Sequence, residues 1–368
     1  MNSMYEQRLK RLRDYLKREQ IDMALITNPT NIYYFSGFYS DPHERFMALV
    51  VDAEREQTFM IVPSLDLEAA EQHSVVRDMI PCSDTDNPFI LLNAKIGSKR
   101  IGMIGLEKKT FSVHRLERLQ ELFTGVTTND IEEFIALERL IKSDHDLVQI
   151  RRAIAITEEA LEAALRQVCV GMTELDLTAE LEYRIRKLGG DKPAFETIIL
   201  TGKRSCLPHG KPGPYPIMEN DFLLVDFGVY AGGFCSDITR TFVIGEGTKK
   251  QEEIYEIVLE SNLAAIEKVK IGTPYGHIDR AGREVIAARG YGAYFNNRIG
   301  HGLGLDFHEI PSIHGENTQV VQPGHVFTIE PGIYLPAIGG VRIEDDICVH
   351  SDGKVEILTT YPKQLCRL

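Results

Sequence analysis

The stretch FLLVDFGVYAGGFCSDITRTFVIG, Phe222 to Gly245, decides the reading of this chain. Two β-rich runs flank Tyr230-Ala231-Gly232-Gly233, the pattern of a hairpin. A turn centred between Ala231 and Gly232 sets Asp226 opposite Asp237. Directly opposed residues share a face, with Cβ atoms roughly 4.5–5.5 Å apart. Two carboxylates held that close repel each other, and each stands in an apolar strand where an unpaired charge is costly. A bound cation removes both problems. The competing reading is that one Asp is an edge residue facing water.

A second acidic pair lies in HVFTIEPGIYLPAIGGVRIEDDICVH, His325 to His350. Glu330 closes one apolar run, and Glu344 lies in the returning strand after Gly339-Gly340. Asp345 and Asp346 follow it and are further candidates, the competing reading for them being a solvated strand end. Between the two pairs, IGHGLGLDFHE (Ile299 to Glu309) carries His301 and His308. The glycines beside His301 permit close backbone approach. A lone histidine is usually structural; two in a glycine-rich strand, flanked by two acidic hairpins, point to chemistry. Asp226, Asp237, Glu330, Glu344 and one histidine form an oxygen-rich set suited to Mn²⁺ first, then Co²⁺, Zn²⁺ or Fe²⁺. Four carboxylates bridge two ions better than they saturate one, and paired ions can hold a bridging hydroxide and polarise a carbonyl.

The rest of the chain frames this set. Its 368 residues imply two domains. A composition of 43% hydrophobic and 26% charged residues is that of a globular protein. No apolar run is long enough to span a membrane, and the charged N-terminus lacks the features of a signal peptide, so a cytoplasmic protein is expected. The net charge of −13 argues against nucleic acid as a partner. Six cysteines without a C-x-x-C pair read as free thiols. The first part alternates strand (Met23 to Ile26, Phe46 to Val51, Thr58 to Val62, Arg100 to Gly105) and helix (residues 5–20, Leu65 to Gln72, Ser112 to Leu122), an α/β domain over residues 1–139. Ser143 reads as a helix N-cap with Asp146 as its capping-box partner. Amphipathic helices are expected at Asp144–Cys169, Glu174–Leu188, Gln251–Val269 and Gly276–Arg289, each pair followed by strands, which hints at internal duplication in residues 140–368.

The order Asp, Asp, His, Glu, Glu in VDFGVYAGGFCSD, GHGLGLDFHE, TIEPGIY and VRIEDD resembles the pita-bread metallopeptidases, the superfamily of methionine aminopeptidase, aminopeptidase P, prolidase and creatinase. ITNPTNIYYFSGFYSDPHER, Ile26 to Arg45, is similar to the amino-terminal domain of the creatinase/prolidase branch, and most of all to bacterial Firmicute-type Xaa-Pro dipeptidases. The resemblance implies a small α/β domain followed by a pita-bread α+β catalytic domain. It also implies hydrolysis of the peptide bond preceding proline in Xaa-Pro dipeptides through a hydroxide bridging two metal ions. Asp226, Asp237, His301, Glu330 and Glu344 would be the ligands, with Asp237 and Glu344 bridging. His209, in CLPHGKP, would contact the substrate near the scissile bond, His308 would stabilise the tetrahedral intermediate or the proline carbonyl, and Glu330 would shuttle the proton. Arg342 would be held beside Glu344, while Tyr230 and Phe195 would meet the substrate. Asp41, His43 and Arg45 resemble a loop that reaches a neighbouring subunit's active site, which implies a homodimer. One departure stands out: relatives commonly carry His four residues before the ligand His, where this chain has Asn297. Its neighbour Arg298 could bind a terminal carboxylate as a planar fork, or form a surface or interface salt bridge. The rival readings are aminopeptidase P acting on longer peptides, a creatinase-like metal-free hydrolase, and a catalytically impaired protein of the same fold.

Overall fold

The computed structural model describes residues 2–97 and 100–368. It divides into two compact units, Met1–Arg139 and Leu140–Leu368. The first unit is built on a six-stranded mixed sheet in the order Met79–Cys82, Thr58–Pro63, Ala48–Asp52, Met23–Ile26, Met103–Leu106, Thr127–Asp130. The middle strands are buried on both faces, which is why they read as continuous apolar runs rather than alternating ones. Asn28-Pro29 opens a helix, Pro29–Ser36, rather than a simple turn: the Asn28 side chain accepts from Thr30 N and Asn31 N, and proline occupies the first helical position. The helix Pro88–Ile96 begins in the same way after Asn87.

In the second unit, Ser143 caps the helix Asp144–Leu165 through a reciprocal capping box with Asp146. The helix Glu174–Lys187 packs against it, and Lys249–Glu267 packs against Tyr275–Ala288. The turn inside each helix pair is tied to a later loop by matching backbone bonds. Gly171 N donates to Ile217 O, and Ile217 N to Met172 O; Gly272 N donates to Val321 O, and Val321 N to Thr273 O. Both glycines take positive φ, 92° and 85°. The same bond pattern thus recurs at both helix–helix turns. Each half has its own apolar core: Leu161, Leu181, Val225 and Phe227 belong to one, and Val258, Ile278, Phe327 and Ile347 to the other. Each also supplies one acidic pair.

The register of the first acidic hairpin differs from expectation. Gly232 and Gly233 both have positive φ, 61° and 84°, the requirement of a mirror-image two-residue turn. They occupy its two central positions, and Tyr230 pairs with Cys235. Every later pair shifts accordingly, so Asp226 stands opposite Thr239 rather than Asp237. Because side chains alternate with period two, Asp237 still falls on the same face as Asp226, as a diagonal neighbour.

Candidate metal centre and its pocket

Three sheet segments bring the acidic and imidazole residues together. The strand Val326–Ile329 pairs with Asp345–Val349, Ile329 opposite Asp345. Beyond it Gly332–Leu335 pairs with Gly339–Arg342, Gly332 opposite Arg342. Both ladders keep one register, and extending either sets Glu330 opposite Glu344. His301 lies on the short strand Gly300–Gly302. A Cβ at Gly300 would stand 2.0 Å from Thr328 O, and one at Gly302 would stand 2.1 Å from Ile310 O. Only glycine lets this strand fit between its neighbours, and that fit carries the imidazole into the cluster.

The imidazole is oriented for a ligand. His301 Nδ1 lies 3.1 Å from Gly302 O; a carbonyl only accepts, so Nδ1 carries a proton and Nε2 is the nitrogen turned toward the acids. Nε2 stands 3.3 Å from Glu330 Oε1 and 3.7 Å from Asp237 Oδ2. One ligand atom from each of Asp237, His301 and Glu344 lies within 4.8 Å of the others. Asp226 Oδ1 and Asp237 Oδ1 are buried with no hydrogen-bond partner, a costly state for a carboxylate oxygen. Burial pushes the Asp237 carboxyl well above the usual range, with Glu344, Asp226, Asp346 and Glu330 adding to the rise. Burial does the same to Glu344, assisted by Glu330 and Asp226. Asp226 is raised by burial too, against the pull of Arg342. At Glu330 burial also raises the pKa, but the hydrogen bond with His301 and the charges of His301, Arg342 and Arg298 outweigh it and hold this carboxyl low. Unpartnered oxygens and mutually repelling acids are what divalent cations would satisfy, and the donor set, four carboxylates and one imidazole, suits such ions.

The cluster opens into a cavity of about 370 Å³ lined by Asp226, Asp237, His301, Glu330 and Glu344. His209, His308, Phe195, Asn297, Arg298 and Arg342 line the same cavity. His308 stands edge-on to His301, ring centroids 4.2 Å apart. Burial, then the charges of His301 and Arg298, push its pKa down to about 4, so it is neutral at pH 7. His209 is exposed. Phe195 packs on Phe307, centroids 5.4 Å apart. Asn297 Nδ2 donates to Arg298 O at 2.9 Å and Glu330 O at 3.3 Å, so the amide steadies the backbone of a candidate ligand. Arg298 Nη1 donates to Ser312 Oγ at 3.0 Å. Among the described residues of this chain Arg298 forms no ion pair.

Several placements correct the sequence reading. Arg342 is linked to Glu344 through the Thr239 hydroxyl rather than by a bond of its own. Its Nη2 reaches Asp226, its Nη1 the Tyr334 hydroxyl at 2.8 Å and its Nε the Thr239 hydroxyl at 3.1 Å. Thr239 in turn donates to Glu344 Oε2 at 2.6 Å. Tyr230 is not among the residues lining the cavity; its ring lies under Lys192 Nζ. Tyr334 takes the place beside Arg342. Asp345 and Asp346 are fully buried, not solvated. Asp345 pairs with Arg240 at 2.9 Å and Lys363 at 2.9 Å, and Asp346 accepts from Asp237 N at 3.2 Å. Asp41, His43 and Arg45 lie on a loop of the first unit, where Arg45 is engaged by Asp84 and Glu44. Tyr334, Phe307, Thr239 and Ile198 were not foreseen. Of these only Thr239 had a usable signal, the correct hairpin register.

Residues 148–351 match the Metallopeptidase family M24, and residues 8–141 match the Creatinase/Prolidase N-terminal domain. The chain belongs to metallopeptidase family M24. It is 39% identical over 360 residues to the Bacillus subtilis protein named "Putative dipeptidase YkvY", covering 97% of this chain and 99% of that one. Its fold superposes on an Xaa-Pro dipeptidase from Bacillus anthracis with a TM-score of 0.92 and 33% identity, covering 99% of this chain and 100% of that one. An X-Pro aminopeptidase from Thermotoga maritima gives a TM-score of 0.89 and 32% identity, covering 98% and 99%. The family and the two-domain architecture agree with the resemblance seen in the sequence. No described helix is long and apolar enough to cross a membrane.

Proposed function

We propose that this metallopeptidase hydrolyses Xaa-Pro dipeptides. The observation that carries this reading is a small cavity holding both the acidic cluster and an arginine free of any ion pair among the described residues. Its volume of about 370 Å³ is near the low end of ligand pockets, roughly 300–1,000 Å³. Asp226, Asp237, His301, Glu330 and Glu344 would hold two divalent ions, Mn²⁺ first. When bound, such ions supply Lewis acidity and lower the pKa of water.

The protein's own groups do the rest. Arg298 binds the carboxylate of the proline end as a two-pronged donor. Phe195 and Phe307 form an apolar wall beside it. His308, neutral at working pH, donates a hydrogen bond to the oxygen that gains charge as the carbonyl is attacked, and His209 does so from the rim. Glu330, the carboxylate held low, accepts the proton from water and passes it to the leaving nitrogen. Asn297 fixes the backbone of Glu330. Tyr334, through Arg342, steadies Asp226.

The deciding assay compares Leu-Pro, Leu-Pro-Gly and creatine with added Mn²⁺. Leu-Pro is expected to turn over fastest. Faster cleavage of Leu-Pro-Gly moves the enzyme to the aminopeptidase P class, and activity on creatine alone overturns the peptidase reading. The loop carrying Asp41, His43 and Arg45 supports a homodimer in which it reaches the partner's site. A fully active enzyme that sediments as a monomer would refute that arrangement.

A further inference from the structure

The loop of residues 303–308 carries Phe307 and His308 into the cavity, yet it has no regular secondary structure. Glu309, the first residue of the next strand, holds it from below. Glu309 Oε1 accepts from Leu305 N at 2.9 Å and from Asp306 N at 3.1 Å. Glu309 Oε2 accepts from Lys142 Nζ at 2.8 Å. The two side chains are 6% and 2% exposed, so this is a buried ion pair. Lys142 is anchored by its own N–H on Gly324 O at 2.8 Å. The fit around the pair is close: a Cβ on Gly304 would stand 2.8 Å from Lys142 Cε and 3.1 Å from either Glu309 oxygen. Gly304 O in turn receives Cys235 N at 2.8 Å, two residues before Asp237.

We propose that Glu309, gripped by Lys142, is a positioning residue that sets the imidazole of His308 in the substrate cavity. The inference rests on the reading of His308 as a substrate-facing donor. A buried pair orients by the cost of any alternative: a loop that drifts leaves a charge without its partner in a dry interior, and the pair opposes that drift. A carboxylate satisfied by two backbone N–H groups and an ammonium also fixes where its own backbone must be, and His308 is the preceding residue. The bonds of Glu309 run to the backbone of the loop that carries His308, so its effect should fall on the substrate side of the site.

The test is a double-mutant comparison on the Mn²⁺-loaded enzyme with Leu-Pro as substrate. Glu309→Gln keeps an oxygen for Leu305 and Asp306 but removes the charge that Lys142 holds. It is expected to lower kcat about ten-fold or more, the scale on which small misplacements act, without loss of bound metal. In a His308→Ala background the same change is expected to alter kcat less than two-fold. Lys142→Met should repeat the pattern and serves if Glu309→Gln does not fold. In the metal-free protein, the histidine ring resonance that disappears in His308→Ala should shift in Glu309→Gln, while those of His43 and His114 stay in place. An equal loss of kcat in both backgrounds, or no loss in either, would overturn the inference while leaving the role of His308 intact. If His308→Ala itself leaves kcat unchanged, the role of His308 fails and the inference with it.

Discussion

Arg342 and Asp226 form a buried ion pair inside the acidic cluster, the guanidinium taking Asp226 Oδ2 while Oδ1 is left without a partner. The cluster thus contains its own fixed cation before any metal arrives. Removing it exposes the surviving carboxylates to one another. Arg342→Met should destabilise the chelator-treated protein by about 3–5 kcal/mol, the cost of breaking a buried pair from one side. Mn²⁺ should restore a larger share of stability to the variant than to the parent. Denaturant unfolding with and without metal checks both. Equal gains on loading would show that Arg342 does not offset the charge of the cluster.

Metal uptake should be coupled to proton release. Burial and mutual repulsion hold Asp237 and Glu344 well above the ordinary carboxylate range, so the empty site keeps protons that an incoming cation must displace. Apparent Mn²⁺ affinity should therefore rise with pH, and protons should leave on binding. Calorimetric titrations in two buffers of different ionisation enthalpy measure the count. Identical heats in both buffers would contradict the argument. Chelation should abolish hydrolysis, and Asp237→Ala should remove most of it even at high Mn²⁺.

Substrate length should be read by Arg298. A dipeptide puts its carboxylate one residue from the scissile bond, and a tripeptide moves it away. Arg298→Ala should raise KM for Leu-Pro and leave Leu-Pro-Gly nearly unchanged, narrowing the preference between them. At the neighbouring position, Asn297→His would restore an imidazole where relatives commonly have one. One charge-assisted hydrogen bond is worth roughly 1.5–3 kcal/mol, so turnover should rise on the order of ten-fold with metal content unchanged. No rise would show that Asn297 acts only through the Glu330 backbone it holds.

His325 offers a test of stability away from the ligands. It is buried; its Nδ1 accepts from Gln322 N at 3.2 Å and lies 2.5 Å from the Tyr275 hydroxyl, and its Nε2 has no partner. Burial, with the nearby Lys142, pushes its pKa down from 6.5 to about 4. A depressed imidazole is neutral in the folded protein where the unfolded chain would protonate it. Its contribution is therefore present above about pH 6.5 and is lost as pH falls toward 4, by up to roughly 3 kcal/mol. The stability difference between the parent and His325→Gln, from urea unfolding, should shrink across that interval. A difference independent of pH would exclude the linkage.

What the sequence made legible follows from what each signal depends on. The five candidate ligands, which line one cavity, could be picked out because each lies in a short string whose chemistry is local: an acid in an apolar run, or a histidine between glycines. The capping box at Ser143 and Asp146 was readable for the same reason. Contacts that depend on register were not. A turn centre misplaced by one residue put Asp237 opposite Asp226 and hid Thr239, which mediates between Arg342 and Glu344. Asp345 looked solvated because its partners, Arg240 and Lys363, are distant in the chain and meet it only in the folded core. Tyr334 had no signal that set it apart from any other aromatic residue in a strand.

The two apolar cores of the second unit carry a consequence for how the enzyme comes apart. Neither half owns a complete cation site: the hairpin of the first offers Asp226 and Asp237, and the strands of the second offer His301, Glu330 and Glu344. A loaded centre would therefore act as a rivet through a seam. Its strength would report on the seam as a whole, and a loosening anywhere along it would be felt as leakage of metal before any helix melts. Loss of activity on gentle warming would then be an early and reversible event, cured by adding cation rather than by refolding the chain.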